Sequence, residues 1–467
     1  MATKKDLVEA HAFGRRRLVT AFVSGAPGGR EVEPARPGRT IVGGIALAVL
    51  LVAGAAIAGA LSDRAEVDWD EPGLVADGRG ALYVVLDDAA ADLPRVRPVI
   101  NVTSAQLILG SEVEARTVPD EEIAGERKGP PIGILDAPAT VPLAGDLVGS
   151  GWTSCTGTGL GMRTTVTPGA DVSPLPTLGF VVRSATDATV HLVAEADVPG
   201  RPRRAYRYAL PDGNDGLYSD LRISPNDQVT VPDAWLALFP PGAPLDAAGL
   251  GIDRWGRHAR LAGYPGARVG DLLERSGTTY ALTDAGFVEL TPFAAAVLRN
   301  TSLGPRLPRP VAGSPDAAFD IVKPTAGSGE HWPEDLLAGS LPATAEACAV
   351  LRTAEDEEPA VRLATTDGPP ASAAGVAVGD REVTVAPGHG AVVRSADWAS
   401  SADGTPHLVD DRGYSYPVAT ADDLARLGYG EVPVLVVPDV WNKLFEPGPE
   451  LSQDAALCPP AKVPSCG

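Results

Sequence analysis

The sequence predicts a single-pass membrane protein: a cytoplasmic N-terminal amphipathic helix, one transmembrane helix, and a large extracytoplasmic α+β part. In that part four repeats surround a mainly β central core, duplicated about a pseudo-twofold axis. Three observations carry this reading. Residues 40–62, TIVGGIALAVLLVAGAAIAGALS, run for 23 positions without an ionisable side chain. Charge changes sign across them. Two fifteen-residue segments, 206 positions apart, share nine identities.

At about 1.5 Å of rise per residue, the apolar run reaches roughly 35 Å as a helix, enough to cross a hydrocarbon core of about 30 Å. A cleaved signal peptide fits poorly, because the leader before it is 39 residues long and the apolar core is itself too long. Orientation follows from charge. Residues 1–39 hold eight Lys or Arg against four acids, whereas Asp63, Glu66, Asp68, Asp70 and Glu71 follow the run. The basic side stays in the cytoplasm and the bulk of the chain lies outside the plasma membrane. Taking the arm's +4 from the whole-chain −21 leaves −25 beyond it, a balance that repels nucleic acid and anionic lipid.

The arm places Leu7, His11, Gly14, Leu18 and Phe22 at helical spacing, with Thr3 and Asp6 placed to cap the start. An amphipathic helix over about residues 4–23 follows, ended by Ala26-Pro27-Gly28-Gly29. A topogenic tail without a partner is the plainer reading. Arg15, Arg16 and Arg17 beside an apolar stripe suit docking to another protein or to anionic head groups better.

Beyond the membrane the chain is rich in turn formers, with most of its 52 Gly and 44 Pro, which suits short strands more than a helical bundle. All four cysteines, Cys155, Cys348, Cys458 and Cys466, lie there. An even count on the oxidising side reads as two disulfides, and no CxxC or Cys/His spacing suggests zinc. The short spacing of Cys458 and Cys466 lets them pin the Pro-rich tail. The sequence leaves crossed and intermolecular pairings open.

The duplication is countable. Residues 231–245 read VPDAWLALFPPGAPL and residues 437–451 read VPDVWNKLFEPGPEL. Asp after Pro is expected to cap a short helix, and Trp235, Leu238 and Phe239, like Trp441, Leu444 and Phe445, fall on one apolar face. That spacing places Trp235, Phe239, Trp441 and Phe445 in repeat cores rather than on a sugar-stacking platform. Upstream of each copy stands VVRSA, at 181–185 and 392–396, with a Gly two residues before it. Cys155 and Cys348 are separated by 193, close to the same period, which makes them candidates for equivalent positions meeting across a pseudo-twofold axis. Paired, they would clamp the two halves.

Weaker echoes, such as Leu282-Thr-Asp284-Ala-Gly286-Phe287 against Val409-Asp-Asp411-Arg-Gly413-Tyr414, carry a hairpin signature and divide each half again. The expected organisation is an arm at 1–39, a membrane helix at 40–62 and repeats at 63–120, 179–246, 247–312 and 379–452. Core segments at 121–178 and 313–378 and a tail at 453–467 complete it.

Catalytic signatures are scarce. The chain contains no Gly-Lys dipeptide, so the phosphate-cradling GxxxxGK[ST] loop is absent and a conventional P-loop ATPase is excluded. The Gly-rich stretch 145–161 lacks the basic residue and frame of a phosphate loop and is expected to be a tight, disulfide-bearing loop. Six histidines stand singly, with no HExxH or HxH spacing for a metal. Gly327-Ser328-Gly329 misses the GxSxG elbow and reads as a polar loop.

The arm segment FGRRRLVTAFVSG (13–25), followed by Arg39, Ile41-Val42-Gly43-Gly44 and the apolar run, resembles the EccB family of actinobacterial type VII (ESX) secretion systems. Beyond the membrane, Leu82-Tyr83 and RPVINVTSA (97–105) through Leu109-Gly110 are similar to that family's first repeat. The cysteines and Val-Pro-x-x-Trp segments fall in the family's order. The stretch VPGRPRR (198–204) departs most from it.

The resemblance implies a structural subunit of the secretion complex, an elongated domain of four repeats about a disulfide-clamped core. It implies association with a hexameric motor ATPase, multi-span subunits and other copies of the chain. Docking to cytoplasmic partners falls to Phe13, Arg15, Arg16, Arg17, Leu18 and Phe22. The family's repeats are similar to a phage-lysin wall-binding subunit, so a peptidoglycan-binding anchor is an alternative. Some members carry an ATPase label, which makes ATP hydrolysis a further one. No cofactor and no metal is expected.

Overall fold

The computed structural model describes residues 8, 10–15, 71–87, 94–110, 113–169, 171–314, 317, 319–323, 331–366, 368–398 and 404–461. The predicted membrane helix at 40–62 lies outside the described residues, as do Arg16, Arg17, Leu18, Phe22 and Cys466. Among the described residues no helix is long and apolar enough to cross a membrane.

Four small sheets repeat one plan. In the first, β1 (Gly73–Ala76), β2 (Leu82–Val85) and β3 (Val96–Pro98) form an antiparallel meander, α1 (Val102–Leu109) follows, and β4 (Arg116–Thr117) returns parallel to β1. After α2 (Asp120–Gly125) come β5 (Thr153–Thr156), β6 (Met162–Val166) and β7 (Ser173–Pro174).

The second sheet holds β8 (Leu178–Ser184), β9 (Val190–Ala196) and β10 (Arg204–Ala209). It continues through α3 (Asp215–Asp220) to β11 (Val229–Val231), parallel to β8, and then α4 (Asp233–Leu236). The third sheet has β12 (Leu272–Arg275), β13 (Thr278–Leu282), β14 (Phe287–Leu290) and α5 (Pro292–Arg299). Its return is a parallel bridge from Leu272 to Pro310.

Next, β15 (Gly339–Ser340) pairs with β8, and β16 (Ala347–Arg352), β17 (Ala360–Thr365) and β18 (Arg381–Val385) follow. The last sheet holds β19 (Ala391–Ala396), β20 (Thr405–Val409) and β21 (Tyr414–Pro417), then α6 (Ala421–Arg426) and β22 (Leu435–Pro438), parallel to β19. The chain continues through α7 (Asp439–Asn442), β23 (Glu446–Pro447) and α8 (Gln453–Ala456).

Local chemistry fixes these elements. The helices of the four sheets start at side-chain caps, Asn101, Asn214, Thr291 and Thr420, each accepting a backbone N–H three residues on. Asp77, Asp187 and Asp410 close hairpin turns by accepting the backbone N–H of Ala81, Thr189 and Arg412. The β12–β13 turn, Ser276-Gly277, puts both residues at positive φ, as a two-residue hairpin requires.

The central sheet draws on both halves, in the order β18-β6-β5-β16-β17-β7. One apolar core joins it to the inner faces of the second and fourth sheets. A second core unites the second and third sheets around Phe293, Leu298 and Trp332. A third unites the first and fourth around Leu107, Tyr416 and Leu427. The molecule is therefore mainly β, with mixed sheets.

Two expectations are corrected. The Gly-rich stretch 145–161 is not a disulfide-bearing loop: Cys155 sits in β5, inside the central sheet, and the turn around Gly157 and Gly159 follows that strand. Gly149 and Gly161 serve close approach, since a Cβ would lie 2.6 Å from the Leu435 side chain and 2.3 Å from the Ala377 carbonyl oxygen, respectively. Asp233 and Asp439 do not cap their helices. Pro232 and Pro438 take the cap position without a side-chain bond, and each Asp carboxylate is turned to a serine on the neighbouring strand.

Candidate functional site: the disulfide-clamped joint of two halves

Antiparallel pairing of β5 and β16 sets Cys155 directly opposite Cys348, with Cα atoms 4.1 Å apart, and a disulfide joins them. Both are fully buried, among Val350, Ala364 and Ala371. Around this bond the halves correspond element by element: the hairpin β5–β6 to β16–β17, and β8 to β11 with α4 to β19 to β22 with α7.

The residues shared by the two halves make matching contacts. Ser184 Oγ donates to Asp233 Oδ1 at 2.6 Å, and Ser395 Oγ donates to Asp439 Oδ1. Arg183 donates to the Ala188 carbonyl and Arg394 to the Gly404 carbonyl, each bracing its own hairpin connection. Gly242 and Gly448 lie against Tyr208 and Tyr416, where a Cβ would come within 2.1 and 2.2 Å of the rings. VVRSA and VPDxW were each visible in the sequence; the bond between them was not, since it needs β8 beside α4.

Trp235, Phe239, Trp441 and Phe445 are all buried. Trp235 meets Phe239 edge-on at 4.9 Å and donates from Nε1 to the Ser154 carbonyl at 2.9 Å, next to the disulfide. Phe445 meets Trp152 instead, at 5.2 Å, and the buried Trp441 Nε1 makes no hydrogen bond among the described residues. His191 and His407 hold the same register, opposite Val182 and Val393. Burial first, then the Arg207 guanidinium, lowers the His191 pKa.

In the arm, Phe13 is 57% exposed and lies with Arg15 on a helical stretch at 10–15. Cys458 is a disulfide cysteine, and its carbonyl accepts the Gly133 N–H. His331 is stacked on Tyr206 at 4.7 Å. Gly327-Ser328-Gly329 lies outside the described residues. Among the described residues no cluster of His, Cys, Asp or Glu is arranged to hold a metal ion. The chemistry that the joint performs is cohesion: buried polar groups of one element are spent on another.

Comparison with known proteins agrees with this architecture. The family described as "Type VII secretion system ESX-1, transport TM domain B" matches residues 1–465. The chain is 26% identical over 422 residues to the ESX-2 secretion system ATPase EccB2 of Mycobacterium tuberculosis (strain ATCC 25618 / H37Rv), covering 83% of this chain and 81% of the relative. It is 29% identical over 427 residues to the ESX-3 secretion system ATPase EccB3 of Mycolicibacterium smegmatis, covering 81% and 75%. In fold it is similar to a chain of the intact ESX-5 inner membrane complex, with a TM-score of 0.60 at 21% identity, covering 100% and 97%. It is also similar to a chain of the EccB3 dimer from the ESX-3 core complex, with a TM-score of 0.59 at 23% identity, covering 82% and 99%. With a match that runs nearly end to end, the chain belongs to the EccB family of type VII secretion systems.

Proposed function

We propose that the chain is a noncatalytic structural subunit of an ESX secretion complex, scaffolding the channel on the extracytoplasmic side of the plasma membrane. Membership of the EccB family across 1–465 carries the reading. The contacts described above support it, because the residues the two halves share hold sheets and helices together. Fold likeness to chains of an inner membrane complex and of a dimer supports association with other subunits and with further copies.

In this reading residues 40–62 cross the membrane once, with the basic arm in the cytoplasm. Phe13, Arg15, Arg16, Arg17, Leu18 and Phe22 dock to a partner subunit, the motor ATPase foremost. The four sheets belong to repeats at 63–120, 179–246, 247–312 and 379–452, and Cys466 pairs with Cys458.

Purification of the tagged full-length chain from its native membrane in mild detergent tests this. Co-elution with a multi-domain ATPase and multi-span proteins in a megadalton-range particle is the expected result; a lone monomer or dimer overturns it. The naming of the EccB2 and EccB3 relatives as secretion system ATPases favours a second reading, ATP hydrolysis. Turnover that survives purification and vanishes with one defined substitution would establish that reading instead.

A further inference from the structure

The second sheet meets the central sheet through apolar side chains, Phe180, Val182 and Val193 facing Leu351, Val361 and Leu363. Such contact is non-directional and does not by itself set an angle. Directional bonds cross the same boundary. The Glu195 side chain, 1% exposed, accepts the Leu363 N–H at 2.9 Å and pairs with Arg203 Nε at 2.8 Å and Arg362 Nη2 at 2.9 Å. That N–H points away from β16, beside the carbonyl that receives Leu175 N–H, where β7 has already ended. The carboxylate thus completes the edge of the central sheet.

Arg204 is 2% exposed and bonds Glu358, in the β16–β17 connection, at 3.0 Å. Its guanidinium lies 5.1 Å from the Trp398 ring, just past β19. Arg203 also holds Asp197 and the Pro176 carbonyl, each at 2.8 Å. One short stretch, 197–204, the β9–β10 connection with the first residue of β10, therefore reaches the second sheet, the central sheet and the start of the fourth. The corresponding β20–β21 connection is a tight turn whose Arg412 pairs locally with Asp410 at 2.8 Å.

We propose that the segment 197–204 is a strap that fixes the angle at which the second sheet, with the third packed on it, sits on the disulfide-clamped central sheet. Buried ions are a costly way to gain stability, and apolar replacements of similar volume are often neutral or stabilising. What an ion cluster supplies that an apolar slab lacks is a single geometry. The proposal concerns the internal geometry of the chain and stands whether or not the scaffold role does.

Pulsed electron-spin distance measurement on the full-length chain in detergent tests it. Labels go on noncanonical residues at Val378, 71% exposed beside the central sheet, and Leu307, 51% exposed on the third. The parent should give one narrow distance. Arg204→Met with Glu358→Leu should widen it about twofold or shift it, while the disulfide forms and the melting midpoint is retained; Glu358→Gln should do the same with the disulfide formed but a lower midpoint, because it leaves the buried Arg204 guanidinium without its carboxylate. A distribution as narrow as the parent's in Glu358→Gln overturns the strap, whether or not the doubly apolar variant folds.

Discussion

Ser184 on β8 holds Asp233 at the start of α4 through a 2.6 Å hydrogen bond, and its Oγ also accepts the N–H groups of Thr186 and Asp187. One hydroxyl thus ties a strand, a turn and a helix. Ser184 is 5% exposed, so Ser184→Ala should cost about 1–2 kcal/mol. Ser395→Ala should cost less, about 0.5 kcal/mol, because that pair is exposed to water. Urea midpoints at constant slope measure both. Equal losses at the two sites would contradict the burial argument.

Gly242 and Gly448 carry the clearest steric demand among the shared residues. Each N–H bonds the strand that bears the tyrosine, to Arg207 and Ser415 carbonyls at 2.9 Å, which leaves no room for the backbone to retreat. Alanine at either position should destabilise by about 1–3 kcal/mol, from overpacking. Gly145→Ala is the control, since its Cβ would meet nothing within 4 Å. Thermal melts of the three variants decide it; a neutral Gly448→Ala would mean that the Tyr416 ring can move aside.

These cases show what the sequence discloses and what it withholds. The shared identities of 231–245 and 437–451 were legible because side chains at i, i+3 and i+4 of one short segment pack together. The Ser–Asp bond spans 49 positions, and Glu195 reaches Leu363 across 168, so neither leaves a local pattern. Glu195 in particular reads as an outward residue in an alternating strand. Gly signals turns whatever its actual use, which is why β5 was hidden inside the stretch 145–161. Asp after Pro reads as a cap, but its carboxylate had a serine within reach.

His191 predicts a pH response of the fold. His191 is part-buried, its Nδ1 has no hydrogen-bond partner among the described residues, and its pKa is lowered, by burial and then by Arg207. The unfolded imidazole titrates near 6.5. Below about that pH the unfolded chain takes up a proton that the folded chain resists, so stability present above it declines as pH falls, until the lowered folded value is passed. Urea midpoints should drop between about pH 7.5 and 5. His191→Gln should flatten that slope. Identical slopes in parent and His191→Gln would remove this histidine from the account.

The Cys155–Cys348 bond closes a separation of 193 residues, which on the chain-entropy estimate is worth about 5 kcal/mol. Measured values commonly fall short of such estimates, so Cys155→Ala with Cys348→Ala should lose about 2–5 kcal/mol. The variant should still fold, because β5 and β16 remain paired from Ala347–Thr156 to Val350–Thr153 and the apolar core on either side is unchanged. Both sulfurs are sealed from solvent, and thiolate attack requires access. A reducing agent added to the native protein should therefore leave the bond intact for hours, with reduction accelerating only as urea opens the central sheet. Alkylation and mass measurement along a urea series follow this directly. Rapid reduction without denaturant would show that the central sheet opens on its own and that the two halves are not clamped in the native state.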